Sequence, residues 1–313
     1  MRITDLHEDI AYASQRLDVV NGHNQSSIAM LQLFDSAIVL SSIFPYFPAM
    51  LESNSPGSYT HINIPDRNVM WEQINFHFRL EYASKVRIVR KPTDLEGAGV
   101  NLALALEGAD ALSMPEDIFH LSALGLFSIG LAWNYDNKFC ASYLSKKDYG
   151  LTSSGEALIG LCRDTGVAID MAHASQKTIE QVLELDHGPV FISHGNSAKI
   201  FDHPRNYPDR IIEKVVEQGG IIGVTGIPST LGGKKDIDAL AEHIDYMWET
   251  FGQDSVAIGS DFLGVDTTAT GFESVENFKE LDSILGYKAE QVLWKNGYRF
   301  LKSVLALKQK NKE

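Results

Sequence analysis

The chain has 313 residues, 44% of them hydrophobic, which is material for a large core and length enough for one α/β barrel. The 27 basic residues against 41 acidic ones leave a net charge of −14, which argues against nucleic acid or an anionic membrane as a partner. Cys140 and Cys162 are the only cysteines, too few for a disulfide framework, so both are expected as free thiols in the cytoplasm. The longest apolar runs, such as 37–44, are too short to span a bilayer, and a motif starting at residue 3 leads us to expect no signal peptide.

The opening run, Ile3-Thr4-Asp5-Leu6-His7-Glu8-Asp9-Ile10, reads as a strand ending in His-x-Asp. Residues two apart on a strand share a face, so His7 and Asp9 can converge on one cation; a capped strand end facing water is the plainer alternative. Residues 24–34 have helical spacing, and 37–44 read as a fully apolar strand. The Pro-, Ser- and Gly-rich stretch 45–65 reads as a long loop, and 66–85 as an amphipathic helix capped by Asp66. After a short extra strand at 86–89, the pattern becomes regular. Strands are predicted at 101–106, 126–132, 167–172, 190–193, 221–225 and 256–260. Helices are predicted at 115–124, 153–165, 175–185, 208–218 and 237–251, with a polar loop at 133–150. Two closing helices are expected at 275–285 and 288–305.

Short apolar strands alternating with helices imply a parallel sheet covered by helices. Eight such strands favour a (β/α)8 TIM-like barrel, a single domain over residues 1–313; no Gly-rich dinucleotide fingerprint supports an open doubly wound sheet. Barrel chemistry collects where the strands end. Those ends carry His7 and Asp9, Glu107, His173, His194 and Asp261. Singly, each has a structural explanation as a turn histidine, a helix-start carboxylate or a loop cap. Together, three imidazoles and three carboxylates exceed the three protein ligands of a simple catalytic zinc site. They fit two divalent cations about 3.5 Å apart, bridged by a carboxylate and holding a water that ionises near neutral pH.

These residues also stand in a pattern that resembles the membrane (renal) dipeptidase family of zinc peptidases. Asp5-Leu6-His7-Glu8-Asp9 is similar to its D-G-H-N-D, and Leu106-Glu107-Gly108 to its V-E-G. Ile169-Asp170-Met171-Ala172-His173 resembles I-D-L-S-H, and Phe191-Ile192-Ser193-His194 resembles F-S-H. Pro204-Arg205-Asn206 matches P-R-N, and Ile258-Gly259-Ser260-Asp261-Phe262 matches I-G-S-D-F. The resemblance implies a metal-dependent barrel that hydrolyses dipeptides, often accepting a C-terminal D-residue, and working as a homodimer. It assigns His7 and Asp9 to one Zn2+, His173 and His194 to the other, and Glu107 to the bridge. Asp261 would hold the water and receive its proton, and Arg205 would bind the carboxylate of a small peptide substrate.

The chain departs from that pattern at Trp133, where the family has a His that polarises the scissile carbonyl. Indole can donate a hydrogen bond but cannot take a proton. Asn134, Tyr135, Asn137 or the second cation then does this work, with Trp133, Asn134 and Tyr135 as candidate substrate contacts, or the substrate differs. Thr225-Gly226-Ile227 is a second departure on the substrate side. Two other functions therefore stay open at this point. One is a binuclear hydrolase of N-acyl amino acids, lactones or phosphoesters. The other is a metal-binding homologue with reduced turnover.

Overall fold

The computed structural model describes residues 1–52 and 59–311. The chain opens with β1 (Arg2–Glu8), α1 (Ile10–Ala13), α2 (Ile28–Leu31) and β2 (Ser36–Ile43). A hairpin of β3 (Tyr46–Glu52) and β4 (Tyr59–Pro65) leads into α3 (Arg67–Tyr82) and β5 (Arg87–Ile88). Then follow β6 (Gly99–Leu106), α4 (Asp117–Leu124), β7 (Leu126–Gly130), α5 (Ser153–Thr165), β8 (Ala168–Asp170) and α6 (Gln176–Glu184). β9 (Val190–Phe191), α7 (Asp209–Glu217), β10 (Ile222–Val224), α8 (Pro228–Leu231), α9 (Ile237–Phe251) and β11 (Val256–Ile258) complete the regular part. The chain closes with α10 (Phe278–Leu285) and α11 (Asn296–Lys310).

Eight strands form a parallel ring in the order β10-β11-β1-β2-β6-β7-β8-β9, and a bridge between Ile192 and Ile222 closes it. This is the expected (β/α)8 barrel, and seven of its staves are largely apolar runs, β1 (Arg2–Glu8) being the mixed one. The seven read that way because both faces are covered: all eight residues of β2 are buried. The short β5 pairs with the start of β6 at Asn101 and Leu102, while β7 pairs with its end from Leu104 onward. Inside the ring, Leu6, Ile38, Ala103, Phe127, Ala168, Phe191 and Ala257 share one apolar cluster with Phe300, Leu301, Val304 and Leu305 of α11. The C-terminal helix therefore packs into the barrel interior, and the ionisable groups are left to the strand ends.

Three expectations need correction. The stretch 45–65 is an antiparallel hairpin, registered Tyr46 to Pro65, Phe47 to Ile64 and Pro48 to Asn63, and no open loop. Pro48 and Pro65 are tolerated because a two-stranded ribbon has outer edges where a missing N–H breaks no ladder. Residues 53–58 of that stretch lie outside the described residues. The helix expected at 24–34 shrinks to α2, whose Ser27 side chain caps the Met30 N–H. Gln25 is committed elsewhere: its side chain donates to Val265 O at 2.8 Å and accepts from Leu263 N at 2.6 Å. The last helix begins as a π-type turn, Gln291–Lys295, and runs on to Lys310.

His77 on α3 is wholly buried and neutral by construction. Its Nδ1 donates to Gln73 O at 2.8 Å, and its Nε2 accepts from the Ser41 hydroxyl at 2.8 Å. Burial pushes its pKa down to about 4. Unfolded chains take up that proton below about pH 6.5, so the unfolded state binds more protons between about 6.5 and 4. The contribution is therefore intact above that window and lost as pH falls through it. Urea unfolding at pH 7 and pH 5 is expected to show wild-type stability falling by about 2 kcal/mol more than that of His77→Gln; equal slopes would refute the assignment.

Candidate active site

Five strand ends supply the six groups. β1 holds one residue more than β2 between Asp5 and Glu8, a bulge. Leu6 thus joins the inner apolar cluster while the next residue, His7, reaches the mouth. Asp9 lies just past β1 as the N-cap position of α1, so it meets His7 through the bulge and the helix start rather than by simple strand alternation. Glu107 follows β6, and His173, His194 and Asp261 each come three residues after β8, β9 and β11. His173 and Asp261 have left-handed backbones, with φ of 63° and 62°. Such conformations cost about 1–3 kcal/mol each and persist where the surroundings impose them. Two internal carboxylates hold the strand ends. Asp5 Oδ1 accepts from His7 N at 3.1 Å and Ser260 N at 2.9 Å, and Asp170 Oδ1 accepts from Ala172 N at 3.0 Å and Ser193 N at 2.9 Å.

Glu107 is the centre of the arrangement. Its Oε2 lies 3.4 Å from His7 Nε2, and its Oε1 lies 3.1 Å from His173 Nε2 and 4.0 Å from His194 Nε2. His7 Nε2 is also 3.4 Å from Asp9 Oδ2 and 3.7 Å from Asp261 Oδ1. His173 and His194 approach Nε2 to Nε2 at 3.0 Å. The outer nitrogens are held in turn: His173 Nδ1 is 2.8 Å from Asn134 Oδ1, and His194 Nδ1 is 2.8 Å from Ser193 Oγ. The carboxylate thus turns its two oxygens toward two different groups of imidazoles.

Burial opposes every charge here. It pushes the carboxyls of Asp9 and Asp261 above their usual range, and the neighbouring carboxylates push the same way. Burial also drives His173 down to about 3 and His194 well below its usual value, with Arg205 adding to both. For Glu107 burial is outweighed by His7 and His173, which hold it well below the carboxylate range. For His7 burial is likewise outweighed, by Glu107 and Asp9. Both ring nitrogens of His7 and Oδ1 of Asp9 are buried without a hydrogen-bond partner. Three overlapping sets, His7/Asp9/Glu107, Glu107/His173/His194 and His7/His194/Asp261, each keep their donor atoms within 4.8 Å of one another. Neutral imidazoles with carboxylate oxygens and unpaired buried donors fit a divalent cation of the borderline type.

A cavity of about 350 Å³ opens over these groups. Arg205 lines it, 8% exposed, with Nη2 3.0 Å from His173 Nε2 and its guanidinium over the Tyr143 ring at 5.2 Å. Its Nη1 is buried and unpartnered. Trp133 and Asn134 also line the cavity. Trp133 packs against Phe44 at 5.0 Å, Tyr46 at 5.1 Å and Tyr135 at 5.5 Å between ring centroids. Tyr135 itself is 40% exposed and does not line the cavity, so the expected substrate contact reduces to support of Trp133.

The profile described as membrane dipeptidase (peptidase family M19) matches residues 1–313. The chain belongs to this family. Among curated relatives, an uncharacterized dipeptidase of Schizosaccharomyces pombe is 28% identical over 58% of this chain and 46% of its own length. A dipeptidase of Clonostachys rogersoniana is 28% identical over 67% of this chain and 57% of its own length. The matches thus span about half the length of these relatives. Among solved structures, a metallo peptidase from Rhodobacter sphaeroides, liganded with a phosphinate mimic of the dipeptide L-Ala-D-Ala, superposes with a TM-score of 0.81. It is 20% identical, with 96% of this chain and 99% of that one covered. The probable dipeptidase PvdM of Pseudomonas aeruginosa gives a TM-score of 0.80 at 17% identity, over 98% of this chain and 95% of the other. These likenesses carry the barrel fold. Membership of a metallopeptidase family agrees with a divalent-cation site at the barrel mouth.

Sequence reasoning did not single out Tyr12, Phe44, Tyr143, His203 and Ser229, which also line the cavity. They come from loops and a helix start, where no period marks an inward face. Gly264 was likewise passed over. A Cβ there would run into Asp9 Oδ2 and Asp261 Oδ1, so the chain crosses the site where only glycine fits. Gly264→Val is expected to weaken divalent-metal binding about tenfold or more, measured by competition with a chelator, with the circular dichroism spectrum unchanged. Undiminished affinity would mean that the loop yields freely and Gly264 has no part in holding the ligands.

Proposed function

We propose that this chain is a cytoplasmic dipeptidase that holds two divalent cations, most suitably Zn2+. The observation that carries the reading is the division of Glu107 between His7 on one oxygen and His173 on the other, beneath a cavity that contains Arg205. His7 and Asp9 would hold one cation, His173 and His194 the other, and Glu107 would join them. Such ions polarise a carbonyl and lower the pKa of a water to near neutrality.

The remaining work falls to the chain's own residues. Asp261, buried at the mouth 3.7 Å from His7 Nε2, is the base that accepts the proton of the attacking water. As the water oxygen bonds to the carbonyl carbon and the C–N bond breaks, Asp261 returns that proton to the departing amine. Arg205 offers a planar fork to the free C-terminal carboxylate, a match made by two parallel hydrogen bonds. Trp133, Phe44 and Tyr12 form an apolar wall that excludes bulk water and favours an apolar substrate side chain. The L-Ala-D-Ala mimic held by the Rhodobacter sphaeroides peptidase supports testing a C-terminal D-residue here. The two buried free thiols suit a reducing compartment.

Metal analysis of zinc-reconstituted protein is expected to give two ions per chain, falling to one or none in Glu107→Gln. A wild-type protein that holds one ion at most under excess zinc would overturn the binuclear reading.

The substrate side is tested by pairing enzyme and substrate variants. C-terminal amidation of a dipeptide removes the charge Arg205 would bind, and is expected to cost about 2–5 kcal/mol, more than tenfold in kcat/KM. Arg205→Met is expected to lose as much on the free acid but little more on the amide. Additive losses would mean that Arg205 does not touch the carboxylate.

A further inference from the structure

We infer that Asn134 acts with both ends of its amide, Oδ1 setting the tautomer of His173 and Nδ2 donating to the scissile carbonyl oxygen of the substrate. The second half rests on the dipeptidase reading; the first does not.

The argument starts from the 2.8 Å contact between Asn134 Oδ1 and His173 Nδ1. An amide oxygen can only accept, so Nδ1 carries the ring proton and Nε2 presents its lone pair. That lone pair faces the donor set, with Glu107 Oε1 at 3.1 Å, His194 Nε2 at 3.0 Å and the donating Arg205 Nη2 at 3.0 Å. The hydroxyl of Ser193 supports His194 Nδ1 at the same distance, but a hydroxyl both donates and accepts and does not choose a tautomer. Asn134 thus holds the proton on the outer nitrogen of His173, the tautomer that the Arg205 contact at Nε2 also requires.

With its oxygen engaged, the amide has one end left. Among the described residues no protein group accepts from Asn134 Nδ2, and the residue lines the cavity over the ring of donors. Its neighbours are spoken for. Asn137 donates to Asp110 Oδ2 and Leu131 O, and its Oδ1 accepts from the N–H groups of Phe139 and Cys140. Tyr135 is outside the cavity, and Trp133 is packed among aromatic rings. The inference seats the carbonyl of a substrate held by Arg205 and lying across Glu107 at this free amide end, where charge builds on oxygen as the carbonyl carbon is attacked. A pre-aimed donor at such an oxygen is worth about 10²–10³ in kcat.

Three variants separate the two ends. Asn134→Asp keeps an oxygen for His173 and removes the donor. It is expected to hold metal at least as tightly as wild type in chelator competition, while kcat of the metal-saturated enzyme falls about 100-fold and KM changes little. Asn134→Leu removes both ends. It is expected to lose metal affinity by about 10–100-fold and to alter the visible spectrum of the cobalt-substituted protein. Trp133→His added to Asn134→Asp restores a donor from the adjoining position and is expected to recover kcat at least tenfold over Asn134→Asp alone. Wild-type kcat in Asn134→Asp, or no recovery in the double variant, overturns the donor role. Wild-type metal affinity and cobalt spectrum in folded Asn134→Leu overturn the positioning role. If metal-saturated wild type cleaves no dipeptide, the dipeptidase reading fails and the donor role falls with it, while chelator competition still judges the positioning of His173.

Discussion

Everything at the barrel mouth depends on one electrostatic constraint: three carboxylates and three imidazoles are buried within a few ångströms of one another. Buried like charges are tolerated only when paired or when they coordinate an ion. Around this cluster the fold accepts local penalties. β1 breaks its ladder with a bulge, His173 and Asp261 take left-handed backbones, and Asp5 and Asp170 are buried so that they can accept the N–H groups of neighbouring strand ends. Each directs a donor atom toward the same small volume.

The other end of the barrel compensates. There the interior is filled by Phe127, Phe191 and the face of α11 bearing Phe300, Leu301, Val304 and Leu305. Phe191 and Phe300 meet at 5.1 Å between centroids. Burial of this kind contributes roughly 1.5–3 kcal/mol per large side chain, enough to offset strain of about 1–3 kcal/mol at each left-handed residue. Stability and chemistry thus occupy opposite ends of the same eight strands.

That separation explains what was legible in the sequence. Strands buried on both faces announce themselves as largely apolar runs, and seven of the eight staves of the ring coincide with such runs; β1, with Thr4, Asp5, His7 and Glu8, was legible instead from its His-x-Asp end. The six ionisable groups were visible because each closes one of those staves. The hairpin at 46–65 was not, since its prolines mark a loop unless one knows the ribbon has free edges. Gln25 was hidden for another reason: its partners, Leu263 and Val265, are 238 and 240 residues away. Tyr143 and His203 lie in irregular segments, where only the folded geometry selects the side that faces the cavity. The His7–Asp9 pair was expected for an incomplete reason, strand alternation, whereas a bulge and a helix start bring it about.

The same division separates what family membership says from what it leaves to this chain. The donor ring is built on strand ends, which the barrel fixes in register, whereas Trp133, Asn134 and Arg205 hang on loops that the register does not constrain. A change of residue in those loops alters the wall of the cavity without disturbing Glu107 or its imidazoles. Replacement of a proton-carrying ring by indole at Trp133 is such a change, and Asn134, one residue further on, has an amide that reaches both the ring and the cavity. Charge follows the same logic. The chain as a whole carries −14, yet among the described residues lining the cavity Arg205 is the one permanent cation. The acidic surface repels a carboxylate at long range, and salt screens the effect beyond about 8–10 Å. The capture proposed for Arg205 acts at short range through a buried guanidinium, where screening is weak. The proposed recognition of a carboxylate is therefore not contradicted by the net charge of the chain.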